Sequence, residues 1–283
     1  MDLILYNPMS KSSKGNTYTN RFIKQYKRMQ KPFRLKSVLK ISNIGIFFQS
    51  HPNFDKIILL GGDGTIHHLS NQLATLTNPP SIHIKKNGSG NDLLRSLKRQ
   101  KPKKQSLMIC QTEESQSHYF INGTGLGIDG LVIYHVNQKR KKGHLAYFKA
   151  TLKALFQYIP EPLSITIDGT THNFTKAYSV IINNGMYVGG GMKMTPNAKL
   201  EDELLDVIVI HSVSKIKLLF LFLSVYFGLH LKFKRYIFHQ RAKSVSATFT
   251  TPQYGQSDGE LMTEILSLNA HYSGKDMHYK PMQ

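Results

Sequence analysis

The sequence is short of three things, and each shortage narrows the reading. It has one cysteine, Cys110, in 283 residues. A single thiol excludes any internal disulfide and suits a reducing compartment, so the cytoplasm is the expected setting. Acidic residues are scarce, 17 Asp and Glu against 37 Lys and Arg, for a formal charge of +20. That excess calls for an anionic partner, nucleic acid or an anionic membrane surface, and charge alone does not choose between them. The cations cluster at 95–104, 139–142 and 232–243. None of these clusters sits in a zinc-finger, RRM or helix-turn-helix pattern, so no nucleic acid is expected. Long apolar runs are also missing. The most apolar window, 218–227, is flanked by Lys215, Lys217, Lys232 and Lys234. It falls well below the roughly 20 residues of a spanning helix, so no transmembrane segment is expected. It reads as a buried helix, with a helix lying at a membrane surface as the alternative. Residues 1–6 enter an apolar run directly, without the charged region of a signal peptide.

What is present is ordinary globular material, 40% hydrophobic and long enough for two domains. Strand-like runs at 3–6, 33–38, 56–60 and 81–84 alternate with helical stretches at 17–29, 43–50, 66–76 and 92–97. That order predicts a mainly parallel sheet flanked by helices, with ligands beyond the carboxyl ends of its strands. After residue 112 strand-like runs dominate, at 119–122, 163–167, 177–183, 205–211, 244–250 and 265–270. Turn dipeptides such as Asp168-Gly169, Asn184-Gly185 and Ser273-Gly274 separate them, and helical stretches appear only near 143–158 and 214–226. A second, mainly antiparallel domain is expected, a sandwich or barrel.

Three loops carry the chemistry. Gly61-Gly62-Asp63-Gly64-Thr65 follows a strand and precedes a helix, at an exposed sheet edge. Its glycines let backbone N–H groups approach a phosphate, and the helix N-terminus adds the positive end of a dipole. Asp63 offers a carboxylate to a metal–phosphate network and Thr65 a hydroxyl. No lysine follows, so this is not a Walker A loop. Asn87-Gly88-Ser89-Gly90-Asn91-Asp92 repeats the arrangement after the next strand. Ser89 suits a phosphate, and Asn91 or Asp92 suits a helix cap. After the first strand, Asn7-Pro8-Met9-Ser10 leads into Lys11, Lys14 and Gly15. Three phosphate-friendly loops at one sheet edge are far more specific than any one of them.

Further along stand Asn122-Gly123-Thr124-Gly125-Leu126-Gly127-Ile128-Asp129 and Gly185-Met186-Tyr187-Val188-Gly189-Gly190-Gly191, the latter followed by Pro196-Asn197-Ala198. Asp202 with Leu205-Asp206-Val207 comes next, and Asp258-Gly259-Glu260 closes the set. In order and spacing these motifs resemble the diacylglycerol kinase catalytic family in its soluble bacterial branch. That family is related to sphingosine kinases and, more distantly, to NAD kinases and phosphofructokinases. The resemblance covers nearly the whole chain.

The resemblance implies an NAD kinase/phosphofructokinase-like α/β domain at 1–112, completed by 272–283, and a β-sandwich lipid-substrate domain at 113–271. It implies a kinase of lipid metabolism and phospholipid biosynthesis, using ATP and Mg²⁺ on a lipid hydroxyl at an anionic membrane surface; a homodimer stays open. Glu260 takes the general base's position. Asp63, Asp129 and Asp258 would hold the Mg²⁺–water–phosphate network, and Lys11 would meet the nucleotide phosphates. The nucleotide loops comprise Asn7, Lys11, Gly61, Gly62, Asp63, Gly64, Thr65, Gly88, Ser89, Gly90 and Asn91. A structural metal would take the Asp202 carboxylate and the carbonyls of Lys199 and Leu204. Four positions depart from the family pattern: His67 and His68 replace its usual Asn-Glu, Ser89 its Thr, and Glu203 its Gly. An NAD kinase-like enzyme and a catalytically impaired lipid- or nucleotide-binding protein are the alternatives.

Overall fold

The computed structural model describes residues 1–10, 15–51, 53–88, 90–113, 117–138 and 144–282, with 144–147 described by backbone alone. Lys11, Ser89 and the basic cluster at 139–142 lie outside the described residues.

The chain opens with β1 (Asp2–Tyr6), α1 (Gly15–Lys27), β2 (Phe33–Ser37), α2 (Ile44–Ser50), β3 (Ile57–Gly61), α3 (Asp63–Leu73), β4 (Ile82–Lys86) and α4 (Asp92–Gln100). The strands are parallel, in the order β4-β3-β1-β2, and a late strand, β14 (Tyr279–Pro281), pairs with β4 at the edge. β3 is Ile-Ile-Leu-Leu-Gly and is buried throughout, as a strand covered on both faces must be. Alternate residues serve alternate faces. Leu3, Leu5, Ile57 and Leu59 pack with residues of α2, α3 and α4. Ile4, Ile58 and Leu60 pack with Phe22 and Tyr26 of α1. Because β4, β3 and β1 are adjacent, the three loops that leave their carboxyl ends lie side by side.

The remaining strands form a second sheet in which every pair is antiparallel. They are β5 (Gln105–Thr112), β6 (Ser117–Phe120), β7 (Gly123–Gly127), β8 (Glu161–Ile167), β9 (Thr170–Asn183), β10 (Leu205–His211), β11 (Ile237–Ala242), β12 (Ser244–Ser257) and β13 (Glu260–Met277). β7 and β8 lie in tandem between the long strands β9 and β12. One apolar face encloses its own core, including Cys110, Phe120 and Phe249. The other face of β9 and β10 is covered by α5 (Ile128–Asn137), α6 (His144–Gln157) and α7 (Lys215–Val225).

Periodicity misses five of these elements: β5, β7, β11, β14 and α5. β5 directly follows a basic stretch, and β11 carries His239, Gln240 and Arg241 among its apolar residues. α5 follows a glycine-rich string and enters its helix from Gly127 at φ +103°. The 218–227 window departs from the expected buried helix in an informative way. Leu218, Leu221, Phe222 and Val225 are buried, whereas the opposite side of α7 is exposed.

Candidate active site

The glycine loops after β3 and β4 touch backbone to backbone. A Cβ on Gly88 would come 2.5 Å from the Gly62 Cα, so neither loop tolerates a side chain there. The third loop is tied in by Asn7, whose Nδ2 donates to Thr65 Oγ1 at 2.8 Å. Asn91 sits at φ +61° and turns its side chain back onto Gly88. It therefore does not cap α4, and Asp92 does not either. The cap comes from Asp63, which accepts hydrogen bonds from the backbone N–H of Asn91 at 2.5 Å and of Asp92 at 2.8 Å. Asp63 is thus half-buried and turned inward rather than exposed at the loop tip. Burial, with the charge of Asp92 second, holds its carboxyl above the ordinary range, against the pull of the α4 amides. A Cβ on Gly90 would stand 2.5 Å from Asp63 Oδ2, which is why that position has none.

Asp92 reaches across to the second unit. Its Oδ2 accepts from Gly190 N at 2.7 Å in the triple-glycine segment, and its Oδ1 pairs with Arg95 at 2.9 Å. Gln100 at the end of α4 clasps the same region, donating to Ala198 O at 2.7 Å and accepting from Leu200 N at 3.0 Å. Both ends of α4 are thereby fastened to the segment that follows β9.

Asp258 and Gly259 form the two-residue turn between β12 and β13, with φ of +48° and +89°. Positive φ at both positions is what such a hairpin demands. The Asp258 carboxylate accepts from Ile121 N at 2.9 Å, Asn122 N at 2.8 Å and Gly123 N at 3.1 Å. Its Oδ2 also lies 3.3 Å from His67 Nδ1. Asp258 is therefore committed to backbone amides and to α3. Glu260, one residue past the turn, is half exposed, and its Oε1 lies 3.7 Å from His68 Nε2. The same oxygen stands 3.4 Å from where a Gly64 Cβ would lie. The second sheet thus brings its turn carboxylate onto the N-terminal turn of α3, beside the phosphate-type loops.

Asp129 occupies the first turn of α5. Ser179 Oγ donates to its Oδ1 at 2.9 Å, and Gln256 Nε2 to its Oδ2 at 3.3 Å. Gln256 in turn accepts from Gly259 N at 2.9 Å, linking Asp129 to the hairpin that bears Glu260. Burial pushes the Asp129 carboxyl up to about 6, opposed by these donors. Carboxyls raised by burial in this way cluster at functional sites.

Two family models divide the chain between them. The diacylglycerol kinase catalytic domain matches residues 2–120, and the YegS C-terminal NAD kinase beta sandwich-like domain matches residues 123–274. The chain belongs to the diacylglycerol kinase family. It is a kinase. A diacylglycerol kinase from Bacillus subtilis (strain 168) is 28% identical over 236 residues, 77% of this chain and 76% of the relative. One from Staphylococcus aureus (strain JH9) is 27% identical, covering 78% and 74%. A crystal structure of a diacylglycerol kinase from Bacillus anthracis (strain Sterne) is similar in fold, with a TM-score of 0.65 at 22% identity over 99% of this chain and 97% of that one.

Within this family frame the two metal expectations fare differently. Asp129 suits a divalent cation: its carboxyl is raised by burial, and its partners are neutral donors. The set of Lys199, Asp202 and Leu204 does not suit one. The Arg241 guanidinium already pairs with the Asp202 carboxylate and lies 3.5 Å from Asp206 Oδ2, while Leu204 N donates to Asp202 Oδ1 at 3.2 Å. Nearby, Lys104 bridges Glu203 at 3.0 Å and Asp276 at 2.9 Å. The one carboxylate of the expected set is thus already paired with a cation of the chain. Among the described residues, no group of three or more His, Cys, Asp or Glu side chains gathers at metal-binding distance.

Sequence reasoning passed over Gln256, Ser179 and the clasp made by Asp92. Gln256 did carry a signal, since it lies on the strand leading into the Asp-Gly turn. Ser179 acts across the sheet from β9, and nothing local marks it.

Proposed function

We propose that this kinase transfers the γ-phosphate of ATP to the hydroxyl of diacylglycerol or a closely related lipid, with Glu260 as general base. The observation that carries the proposal is the Glu260 carboxylate poised over Gly64 at the start of α3. In this reading the nucleotide phosphates lie along the loops of Asn7, Gly61, Gly62, Gly64, Thr65, Gly88, Gly90 and Asn91. The first-turn amides of α3 face them with the positive end of the helix dipole. Glu260 accepts the proton of the lipid hydroxyl as that oxygen bonds to the γ-phosphorus and the bond to ADP breaks. Asp63 and Asp258 act by positioning: one fixes the loops after β3 and β4 against each other, the other fixes the hairpin. Mg²⁺, when bound, neutralises charge on the transferring phosphoryl group, and Asp129 would hold it.

His67 and His68 support the same arrangement from a different chemistry than the family's usual Asn-Glu, since each imidazole faces one carboxylate of the Asp258-Gly259-Glu260 turn. We place the enzyme in the cytoplasm at a membrane surface, where ATP and a membrane lipid meet. Transfer of labelled phosphate from ATP to mixed lipids, with NAD⁺ in a parallel reaction, tests the reading. Labelled phosphatidic acid is expected. Labelled NAD⁺ alone would favour the NAD kinase-like alternative, and ATP binding without transfer the impaired one.

A further inference from the structure

From Leu218 to Leu223 α7 is apolar all round, which a helix in water can be only when both sides are covered. One side is covered: Leu218, Leu221, Phe222 and Val225 pack onto the outer face of the second sheet. The other side presents Ile216, Phe220, Leu223 and Phe227 at i, i+4, i+7 and i+11, with Ile216, Phe220 and Phe227 each 66–74% exposed. The stripe continues sideways onto Phe156 of α6, also exposed, whose carbonyl accepts from Lys215 Nζ. Contiguous aromatic and aliphatic surface of this kind marks an interaction site.

Charge says what the partner is. No Asp or Glu occurs between Asp206 and Asp258, while seven Lys and Arg do. Lys217 stands in the first turn of α7, and Lys232, Lys234 and Arg235 follow its end, all exposed. An apolar stripe with cations at both ends fits the interface of an anionic bilayer, where the side chains enter the acyl boundary and the cations meet headgroups. Two copies of this face would set like charges against each other, and a nucleic-acid duplex, whose bases stack on one another, would leave the phenyl rings uncovered. The place is also right. Lys193 N donates to Val225 O at 3.2 Å, and Pro196 packs against Gly228, so the end of α7 rests on the segment that holds Asp92 through Gly190.

We propose that the outer face of α7, from Ile216 to Phe227 with its flanking cations, docks the enzyme on an anionic lipid surface beside the active site. This rests on the lipid-kinase reading for its purpose, but docking is measurable without catalysis. The test is flotation of the full chain with phosphatidylcholine vesicles, with and without phosphatidylglycerol. Wild type should bind the anionic vesicles. Phe220→Ser with Phe227→Ser, and separately Lys232→Glu with Lys234→Glu, should each weaken that binding at least about tenfold. Both pairs should keep the wild-type melting temperature and turnover on a dispersed short-chain diacylglycerol. Undiminished vesicle binding in both would overturn the proposal. So would a wild-type dimer that the Phe substitutions dissociate, with no vesicle binding. Vesicle binding that depends on α7 in a protein that phosphorylates no lipid would uphold the docking and sink the substrate reading alone.

Discussion

His67 Nδ1 lies 3.3 Å from Asp258 Oδ2, joining the first turns of α3 to the hairpin that carries Glu260. Burial pulls the imidazole down, but the hydrogen bond to Asp258 and the charges of Asp258 and Glu260 outweigh it and hold His67 above its ordinary value of 6.5. A raised folded-state value means the native protein holds the proton more tightly than the unfolded chain does. Its contribution to stability is complete below the unfolded value and is lost as pH rises through the folded one. We expect the melting temperature to carry a His67-dependent fall between about pH 6 and 8. Melting curves of wild type and His67→Asn across that range check this, and the variant should lose that part of the slope.

Asp129 should show the opposite trade between stability and function. With its carboxyl pushed up to about 6 against a usual 3.8, the fold favours the neutral form. Stability from this group is present below the unfolded value and is lost as pH rises through 6. Asp129→Asn should therefore raise stability near pH 8 by up to about 3 kcal/mol, with the gain vanishing near pH 4. Turnover of the folded variant should fall sharply. Paired denaturant titrations at the two pH values read the first effect.

Asp63 caps a helix other than its own, so its removal should cost stability as well as activity. Losing an N-cap costs about 0.5–2 kcal/mol. Asp63→Ala should remain folded with a lower denaturation midpoint and without turnover, whereas Asp63→Asn should recover part of the stability. Urea titration together with a phosphate-transfer assay separates the two consequences.

The pairing of Arg241 with Asp202 and Asp206 bears on metal dependence. Asp206 is almost fully buried, and removing the guanidinium leaves its carboxylate with His239 alone, 2.8 Å from Oδ1. Arg241→Met should lower the melting temperature by several degrees, equivalent to about 2 kcal/mol or more. Chelation with EDTA should leave the melting temperature of the wild type unchanged. A wild type destabilised by EDTA would show that a metal, not Arg241, neutralises this corner.

What the sequence made legible was local. The glycine loops, the Asp258-Gly259 turn and the order of βα units are written in residues that sit next to each other, and strand adjacency then gathers three loops at one edge. What stayed hidden was long-range. Asp63 caps α4 from 28 residues away, Arg241 neutralises Asp202 from 39, and His67 meets Asp258 from 191. No periodicity encodes such partners. The outer face of α7 was hidden for another reason: a helix apolar on all sides has no polar stripe to show which side meets water.

The central claim is that Glu260 is the base of a lipid kinase. The contribution of a general base depends on its position, and Glu260→Gln keeps the shape while removing the function. The decisive measurement is steady-state transfer of labelled phosphate from ATP to diacylglycerol by wild type and Glu260→Gln, with ATP affinity measured by calorimetry on the same samples. The account predicts a fall in kcat of about 10²–10⁴-fold with ATP affinity nearly unchanged. Near-wild-type turnover in the variant would contradict it.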